Sequence, residues 1–313
     1  MRRGSAPRVL AVSDSVGGSS DIAMTSYGAP PKMGSFRNLL SLARVAYRQS
    51  LAPLGTHKLQ KMLSDGLPQP FASPLEFLFK HSLSHSDGKK VDTIERIRKA
   101  VESETRVFEV IDRNGKVCPL TATQIAQQVS VNSEWGTFLY LCSASFRART
   151  VLELGGCAGI SGCYLASSEY CERFITVEAS PELAALARMN IRQVSGEAQV
   201  VNARFDDALD EILPTLVRGL DLVYIDGHHK FEPTLHYFRR VERYLNKSAV
   251  VVFDDIHLSQ EMYQAWELLR TMQGARYTID AGRFGLFFWD GGSTTPVNYN
   301  LSQYLGWLWK VSP

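Results

Sequence analysis

The second half of the chain alternates short β-branched apolar runs with helical segments of ten or more residues. This alternation is typical of a parallel α/β sheet with helices packed on its faces. It predicts seven strands, at residues 150–154, 173–178, 199–202, 220–225, 249–253, 277–280 and 284–289. It predicts helices near residues 160–168, 181–194, 206–217, 232–245 and 260–271. Only Ala281-Gly282-Arg283 separates the last two strands. Because this connection is too short for a parallel crossover, the sheet must end in an antiparallel hairpin.

Residues 36–149 are predicted to form a mainly helical cap before the sheet. Apolar residues recur at helical spacing along residues 36–51, and Pro53 and Gly55 are expected to end that helix. An extended piece at Val107–Ile111 is followed by a turn signal, which favours a hairpin or a sharp reversal. The remaining helices of the cap are predicted at residues 73–81, from residue 92, at 121–129 and at 133–146.

The first 35 residues are rich in glycine, serine, alanine and proline, and are predicted to form a flexible leader. Residues 1–50 carry six arginines and one lysine against two aspartates. A solvated basic tail is one interpretation of this excess. An organelle-targeting or acidic-surface-binding segment is another, because the start is acid-poor and contains arginine and serine.

The composition indicates which partners and which cellular compartment are expected. The 34 basic and 32 acidic residues give no overall field that would gather nucleic acid, so no nucleic-acid partner is expected. The longest apolar runs fall far short of the ~20 residues that a membrane span needs, so no transmembrane segment is expected. Five cysteines without a CxxC pair indicate a reducing compartment, and the cytoplasm is the predicted location.

The sharpest local signal follows the first predicted strand, in the segment Glu153-Leu-Gly155-Gly-Cys-Ala-Gly159-Ile-Ser161. Glycines just after a strand let the backbone turn tightly and approach a ligand. A carboxylate at Glu153 would repel the pyrophosphate of a dinucleotide, but it suits a ligand with a positive centre or an amino group. The spacing E-x-G-x-x-x-G also differs from the dinucleotide pattern G-x-G-x-x-G.

A second acid, Glu178, ends the next predicted strand, 25 positions after Glu153. This is where a nucleoside-binding α/β fold places the acid that accepts both ribose hydroxyls. Together the two acids predict an adenosine-type ligand, held at its two ends by Glu153 and Glu178.

These segments resemble the class I S-adenosylmethionine-dependent methyltransferases over residues 150–290. The resemblance implies a Rossmann-like, mostly parallel seven-stranded sheet with a terminal antiparallel hairpin. It also implies that residues 150–313 form a catalytic domain that binds S-adenosylmethionine. Gly155, Gly159 and Ser161 would line the methionine moiety of the cofactor.

The resemblance also implies which residues bind the nucleoside. Glu178 would bind the ribose. The segment Ala203-Arg204-Phe205-Asp206 after the third strand would contact the adenine, so Arg204, Phe205 and Asp206 are candidate cofactor contacts. In the family, helical caps mediate dimerisation or cover the substrate, and a homo-oligomer formed through the N-terminal helical region is one expectation here.

Acidic residues also follow the fourth and fifth predicted strands, in Asp226-Gly-His-His229 and Asp254-Asp255. In the family's strand order these two strands are neighbours, so the carboxylates of Asp226, Asp254 and Asp255 are expected to converge. Three acids in a cleft repel one another unless they are protonated or neutralised, and a hard divalent cation relieves that repulsion. The pattern predicts a metal site, with Mg²⁺ as the first candidate.

This arrangement is similar to the metal-dependent O-methyltransferases of the catechol and macrolide-sugar types. The resemblance implies that Asp226 and His229 are catalytic, with His229 as the general base. An unperturbed pKa of ~6.5 would let His229 accept a proton at neutral pH. The implied reaction is methyl transfer to a hydroxyl of a small molecule, such as a sugar, a phenol or a natural-product scaffold.

Three other functions stay open at this stage. One is a methyltransferase that acts on nitrogen or carbon without a metal. Another is a non-catalytic binding module that retains the fold. The third, a nicotinamide-dependent oxidoreductase, is disfavoured by Glu153 and by the missing third glycine of the dinucleotide motif.

Overall fold

The computed structural model describes residues 33–111, 116–196, 198–292 and 294–305, with side chains from residue 49 onward except at 111. The chain divides into two compact units, Met1–Leu42 and Ala43–Pro313. In the first unit only the beginning of helix α1 (Met33–Ser64) is described. Residues 1–32 of the predicted leader and the predicted turn at 112–115 lie outside the described residues.

The second unit contains one large mixed sheet. Its strands are β3 (Thr150–Leu154), β4 (Arg173–Val177), β5 (Ala198–Val201), β6 (Leu220–Ile225), β7 (Leu245–Phe253), β8 (Gly274–Asp280), β9 (Gly285–Gly292) and β10 (Val297–Asn300). They lie side by side in the order β5-β4-β3-β6-β7-β9-β8-β10. Strand β9 is antiparallel to both of its neighbours, and the other pairs are parallel. The prediction of a mostly parallel, Rossmann-like sheet ending in an antiparallel hairpin is confirmed.

Two layers of helices cover the sheet, because the apolar side chains of each buried strand point alternately to its two faces. Val151 belongs to one apolar cluster and Leu152 to the other. The first cluster joins the sheet to helices of the N-terminal region and to α6 and α7, and the second joins it to α8, α9 and α10. These helices are α2 (Ala72–Lys80), α3 (His85–Glu102), α4 (Ala122–Gln124), α5 (Ser133–Ser145), α6 (Ile160–Ala166), α7 (Pro181–Ile191), α8 (Phe205–Ile212), α9 (Phe231–Val241) and α10 (Gln260–Leu269).

The predicted end of the first helix is wrong. Helix α1 continues through Pro53 and Gly55 to Ser64. Proline removes a helical hydrogen bond, but beyond it Leu59 and Met62 are fully buried in the first apolar cluster. Tertiary packing of these two side chains therefore outweighs the tendency of Pro53 and Gly55 to end the helix.

Three further features refine the predicted pattern. Helix α3 begins at His85, well before residue 92, because the Ser84 side chain caps it by accepting a hydrogen bond from the Asp87 amide at 3.1 Å. Strands β1 (Val107–Ile111) and β2 (Val117–Thr121) form the expected hairpin. Strand β10 is an eighth strand of the main sheet that was not predicted. Within the described residues, no helix is long and apolar enough to cross a membrane.

Candidate functional site

The loop between β3 and α6 is fixed by backbone contacts that only glycine permits. Gly155 has φ +107°, and a Cβ atom there would lie 1.8 Å from the backbone oxygen of Asp226. Its amide donates to the carbonyl of Val177 at 3.0 Å. At Gly159, with φ +81°, a Cβ atom would lie 2.7 Å from Cα of Ala187. The loop is therefore packed tightly against the ends of β4 and β6 and against helix α7.

Glu178 lies at the open edge directly beyond β4. Its carboxylate accepts hydrogen bonds from the amides of Cys157 and Ser180, each at 2.8 Å. Partial burial raises the pKa of Glu178, and these amides act against that rise. The contact with Cys157 connects Glu178 to the glycine loop, as expected if both face one ligand.

Glu153 is placed differently from Glu178, because its side chain is fully buried. It points to the face of β3 covered by α6, where a Cβ atom at Gly162 would lie 3.1 Å from its carboxylate. No described residue makes a well-formed hydrogen bond to this carboxylate. Burial raises the pKa of Glu153 to about 7, and the nearby hydroxyls of Ser161 and Thr176 act against that rise. The structure thus brings Ser161 to Glu153 beneath the loop, but it does not bring Glu153 to the open edge beside Glu178.

In the predicted adenine segment, Phe205 is packed against other residues, whereas Arg204 and Asp206 are exposed. The ring of Phe205 packs edge-on against His228 and Tyr237, with centroids 5.6 Å and 5.2 Å away. It also covers Gly227, so it borders the loop after β6. Asp206 is exposed, and its carboxylate pairs with Arg240 of α9 at 3.2 Å. Arg204 is exposed immediately before α8, whereas Phe205 lies against Gly227 and His228, in the loop between Asp226 and His229.

The structure brings Asp226, after β6, and Asp254, after β7, together. The hydroxyl of Tyr224 lies 3.2 Å from Oδ2 of Asp226 and 2.9 Å from Oδ2 of Asp254, and so bridges the two strands. Nε2 of His229 lies 3.3 Å from Oδ1 of Asp226. Asp254 is fully buried, whereas Asp226 and His229 are about one-fifth exposed. The Asp255 side chain is 30% exposed, so the open side of this cluster is formed by Asp226, His229 and Asp255.

Arg283 lies within the same acidic cluster. Its Nε and Nη2 atoms donate to the two carboxylate oxygens of Asp254, each at 2.7 Å. Its Nε atom is also 3.5 Å from Oδ1 of Asp255. The cluster that was predicted to hold a cation thus already contains a guanidinium group. We call Asp226, His229, Asp254, Asp255 and Arg283 the acidic cluster below.

The charged groups in this cluster shift one another's pKa values. Burial and the charge of Asp254 raise the pKa of Asp226, and they raise that of Asp255 to about 7. Asp254 is the exception: burial alone would raise its pKa, but the hydrogen bonds and charge of Arg283 lower it below the usual value. Asp254 and Arg283 therefore form a bidentate ion pair within the cluster.

The expectation that His229 has an unperturbed pKa is wrong. Burial acts against its charged form, but the hydrogen bond and charge of Asp226 raise the pKa of His229 to about 9. At neutral pH the imidazole is mostly protonated, so it accepts a proton readily only at more alkaline pH. Both His228 and His229 have positive φ, at 60° and 43°, a conformation found at functional loops.

Two residues that contact the acids, Tyr224 and Arg283, have no chemistry assigned from the sequence. Tyr224 lies two positions before Asp226 on the same strand, so the period of two could have indicated that both side chains share a face. Arg283 comes from the hairpin between β8 and β9. It reaches Asp254 because β9 pairs with β7, with Gly285 opposite Phe253.

A magnesium site is not supported by this donor set. Among the described residues, no group of three or more histidine, cysteine or acidic side chains is arranged to hold a metal. Asp254 directs both carboxylate oxygens to Arg283, and Tyr224 and the Asp255 amide add further hydrogen bonds to it. The predicted ligands are present, but their arrangement does not fit an ion.

The glycine loop, Glu178 and the acidic cluster all lie at the carboxyl ends of β3, β4, β6 and β7, the edge at which open α/β proteins bind their ligands. A methyltransferase-domain family model matches residues 152–256. A catechol O-methyltransferase of Niastella koreensis is 30% identical over 183 residues, which cover 57% of this chain and 77% of the relative. The chain belongs to the class I S-adenosylmethionine-dependent O-methyltransferases.

Two other similarities agree with this assignment. A catechol O-methyltransferase of Mycobacterium tuberculosis is 35% identical over 141 residues, and the matched segment spans 44% of this chain and 62% of that relative. The cofactor-bound protein Rv0187 from MTB superposes with a TM-score of 0.50 at 21% identity, and covers 72% of this chain and 99% of its own. The second similarity concerns the fold alone.

Proposed function

We propose that this protein transfers the methyl group of S-adenosylmethionine to a hydroxyl group of a small molecule. The observation that carries the proposal is the placement of two half-sites at one sheet edge. The glycine loop with Glu178 forms one half, and Asp226 with His229 forms the other. Gly155 joins the halves, because its position is in van der Waals contact with the backbone of Asp226.

The first half-site has features that fit the cofactor. Gly155 and Gly159 let the loop pack closely against Asp226 and Ala187, and Gly155 stays partly accessible at the sheet edge, where Glu178 offers a carboxylate to a vicinal diol. The buried carboxylate of Glu153 lacks a well-formed hydrogen bond and adds negative charge beneath the loop only above its pKa of about 7. We propose Gly155, Gly159, Ser161, Glu178 and Phe205 as the residues that line the cofactor.

The second half-site supplies proton transfer. When bound, S-adenosylmethionine supplies an electrophilic methyl group, so the protein has to align and deprotonate the acceptor. His229 in its neutral form would take the acceptor's proton at Nδ1, because its Nε2 atom faces Asp226. Asp226 orients that imidazole at 3.3 Å and stabilises the imidazolium that forms. No step in this mechanism requires a metal ion.

The acceptor and the organisation of the chain are also proposals. The family match at residues 152–256 supports a catalytic domain at 150–313, preceded by the cap at 36–149. The names of the catechol O-methyltransferase relatives make a phenolic diol the first acceptor to test. Self-association through the N-terminal helical region stays a prediction, and light scattering of the full chain tests it.

Calorimetric titration with S-adenosylhomocysteine and with NAD tests the cofactor, and product analysis with catechols, polyhydroxylated sugars and amines tests the acceptor. We expect binding of S-adenosylhomocysteine only, and methylation at oxygen. Asp226→Asn should retain cofactor affinity and lose about 100-fold in turnover, as removal of a group that orients the base would. The exposed Asp92→Asn is the matched control. No affinity for S-adenosylhomocysteine would refute the proposal.

A further inference from the structure

The acidic cluster poses an electrostatic problem that the chain solves with its own residues. Asp226, Asp254 and Asp255 come together at the ends of two neighbouring strands, where like charges repel unless they are neutralised. The guanidinium of Arg283 contacts two of these three acids, at 2.7 Å to Asp254 and 3.5 Å to Asp255. His229 contacts the third, Asp226. Each acid therefore has a cationic side chain of the protein beside it.

Asp254 has no free lone pair left for a further ligand. A carboxylate oxygen accepts about two hydrogen bonds. Oδ1 of Asp254 accepts one from Nε of Arg283 and one from the amide of Asp255, both at 2.7 Å. Oδ2 accepts one from Nη2 of Arg283 at 2.7 Å and one from the Tyr224 hydroxyl at 2.9 Å. A metal ion could bind Asp254 only after displacing at least one of these donors.

Arg283 is held in place by its surroundings. Its backbone oxygen accepts from the amide of Ile256 at 3.2 Å, which connects the β8–β9 turn to the loop that carries Asp254 and Asp255. The next residue, Phe284, is fully buried, and its ring packs against Tyr224 at 5.7 Å. The Arg283 side chain is only 19% exposed. The bidentate pair with Asp254 is therefore pre-organised by the turn.

We propose that Arg283 takes the place of a divalent cation in the acidic cluster, as a positioning residue that holds Asp254 and Asp255 without a metal. The proposal rests on the proposed function only for the identity of the reaction. The Tyr224 hydroxyl donates to Asp254 and lies 3.2 Å from Oδ2 of Asp226, so the pair also positions the acid that orients His229. The site then functions without a metal, although its three acids taken alone predict a Mg²⁺ site.

Titration of the full chain with Mn²⁺, followed by electron paramagnetic resonance, tests the proposal without any methyl acceptor. We expect the wild-type protein to leave Mn²⁺ free up to about 1 mM, the weak end of protein sites for hard cations. Arg283→Lys retains the positive charge and should also leave it free. Arg283→Met removes the charge and should bind Mn²⁺ at least about tenfold more tightly than wild type. The control is Arg276→Met, an exposed arginine on β8 that should behave as wild type.

The outcomes are decisive in both directions. Micromolar Mn²⁺ binding by the wild-type protein would overturn the proposal, even if Arg283→Met fails to fold. Absent binding by wild type, together with turnover that is unchanged in excess chelator, would support it. If Arg283→Met folds, as judged by circular dichroism, and gains no Mn²⁺ affinity, the three acids do not form a latent cation site and the proposal fails. Loss of S-adenosylhomocysteine binding would instead refute the proposed function and leave the Mn²⁺ result intact.

Discussion

The two halves of the candidate site are built in different ways. The half at the ends of β3 and β4 depends on the backbone: glycines make the close approaches, and two amides hold Glu178. The half at the ends of β6 and β7 depends on side chains: Tyr224 and Arg283 connect the acids. A backbone-built half tolerates little change in residue size. A side-chain-built half should instead respond to charge and pH.

The largest expected effect is in the backbone-built half. Gly155→Ala places a Cβ atom 1.8 Å from the backbone oxygen of Asp226 and forces alanine to φ +107°. Since backbone atoms cannot move aside easily, we expect the free energy of unfolding to fall by at least about 3 kcal/mol. Urea denaturation followed by circular dichroism measures it.

Gly88→Ala is the matched control for this substitution. Nothing lies within 4 Å of a Cβ atom at Gly88, which lies within helix α3. Alanine there should leave the protein as stable as wild type or stabilise it by about 0.5–1 kcal/mol. Equal losses at the two positions would show that the close approach at Gly155 is unimportant.

Turnover should depend on pH through the side-chain-built half of the site. Burial acts against the charged form of His229, but Asp226 raises its pKa to about 9. A base works only when deprotonated, so turnover should rise with pH and level off above 9. The rise from pH 7 to pH 9 should be about 50-fold in a single-proton titration. His229→Asn should abolish this rise, and a flat profile of the wild-type enzyme across that range would contradict the assignment.

A substitution at Glu153 tests whether this residue contributes to the cofactor half of the site. Burial raises its pKa to about 7, above the ordinary value of 4.5 in an unfolded chain. The folded state therefore holds the proton more tightly, and stability is lost as pH rises from 4.5 through 7. Glu153→Gln should remove this loss and raise the free energy of unfolding at pH 8 by about 1–3 kcal/mol. The exposed Glu182→Gln should change it little.

Affinity for S-adenosylhomocysteine separates two explanations of the buried position of Glu153. If its charge serves the cofactor, Glu153→Gln stabilises the protein and weakens binding. If affinity is unchanged at pH 8, the carboxylate has no role in the cofactor half, and the prediction that it grips one end of the nucleoside is refuted.

The contrast between the halves also explains what could be predicted from sequence. The strands and the terminal hairpin follow from apolar alternation and from one short connection, which are local properties. Strand β10 escaped prediction because its four residues are mostly exposed, so no apolar pattern marks it. Asp226 and Asp254 could be paired because both end neighbouring strands. The contact of Arg283 with Asp254 could not be predicted, because it depends on the register of β7 against β9.

The smallest expected effect concerns Glu178. Its carboxylate already accepts from the amides of Cys157 and Ser180, so Glu178→Gln retains a shape that can accept from one of them while losing the charge. Affinity for S-adenosylhomocysteine should fall by about 1–2 kcal/mol through loss of charge-assisted hydrogen bonds to the ribose. Calorimetry measures it, with Glu182→Gln as the control. Because Glu178 belongs to the cofactor half, the alkaline rise in turnover should keep its midpoint near 9 in this variant. A shifted midpoint would mean that the two halves are electrostatically coupled, and the distinction between them would then fail.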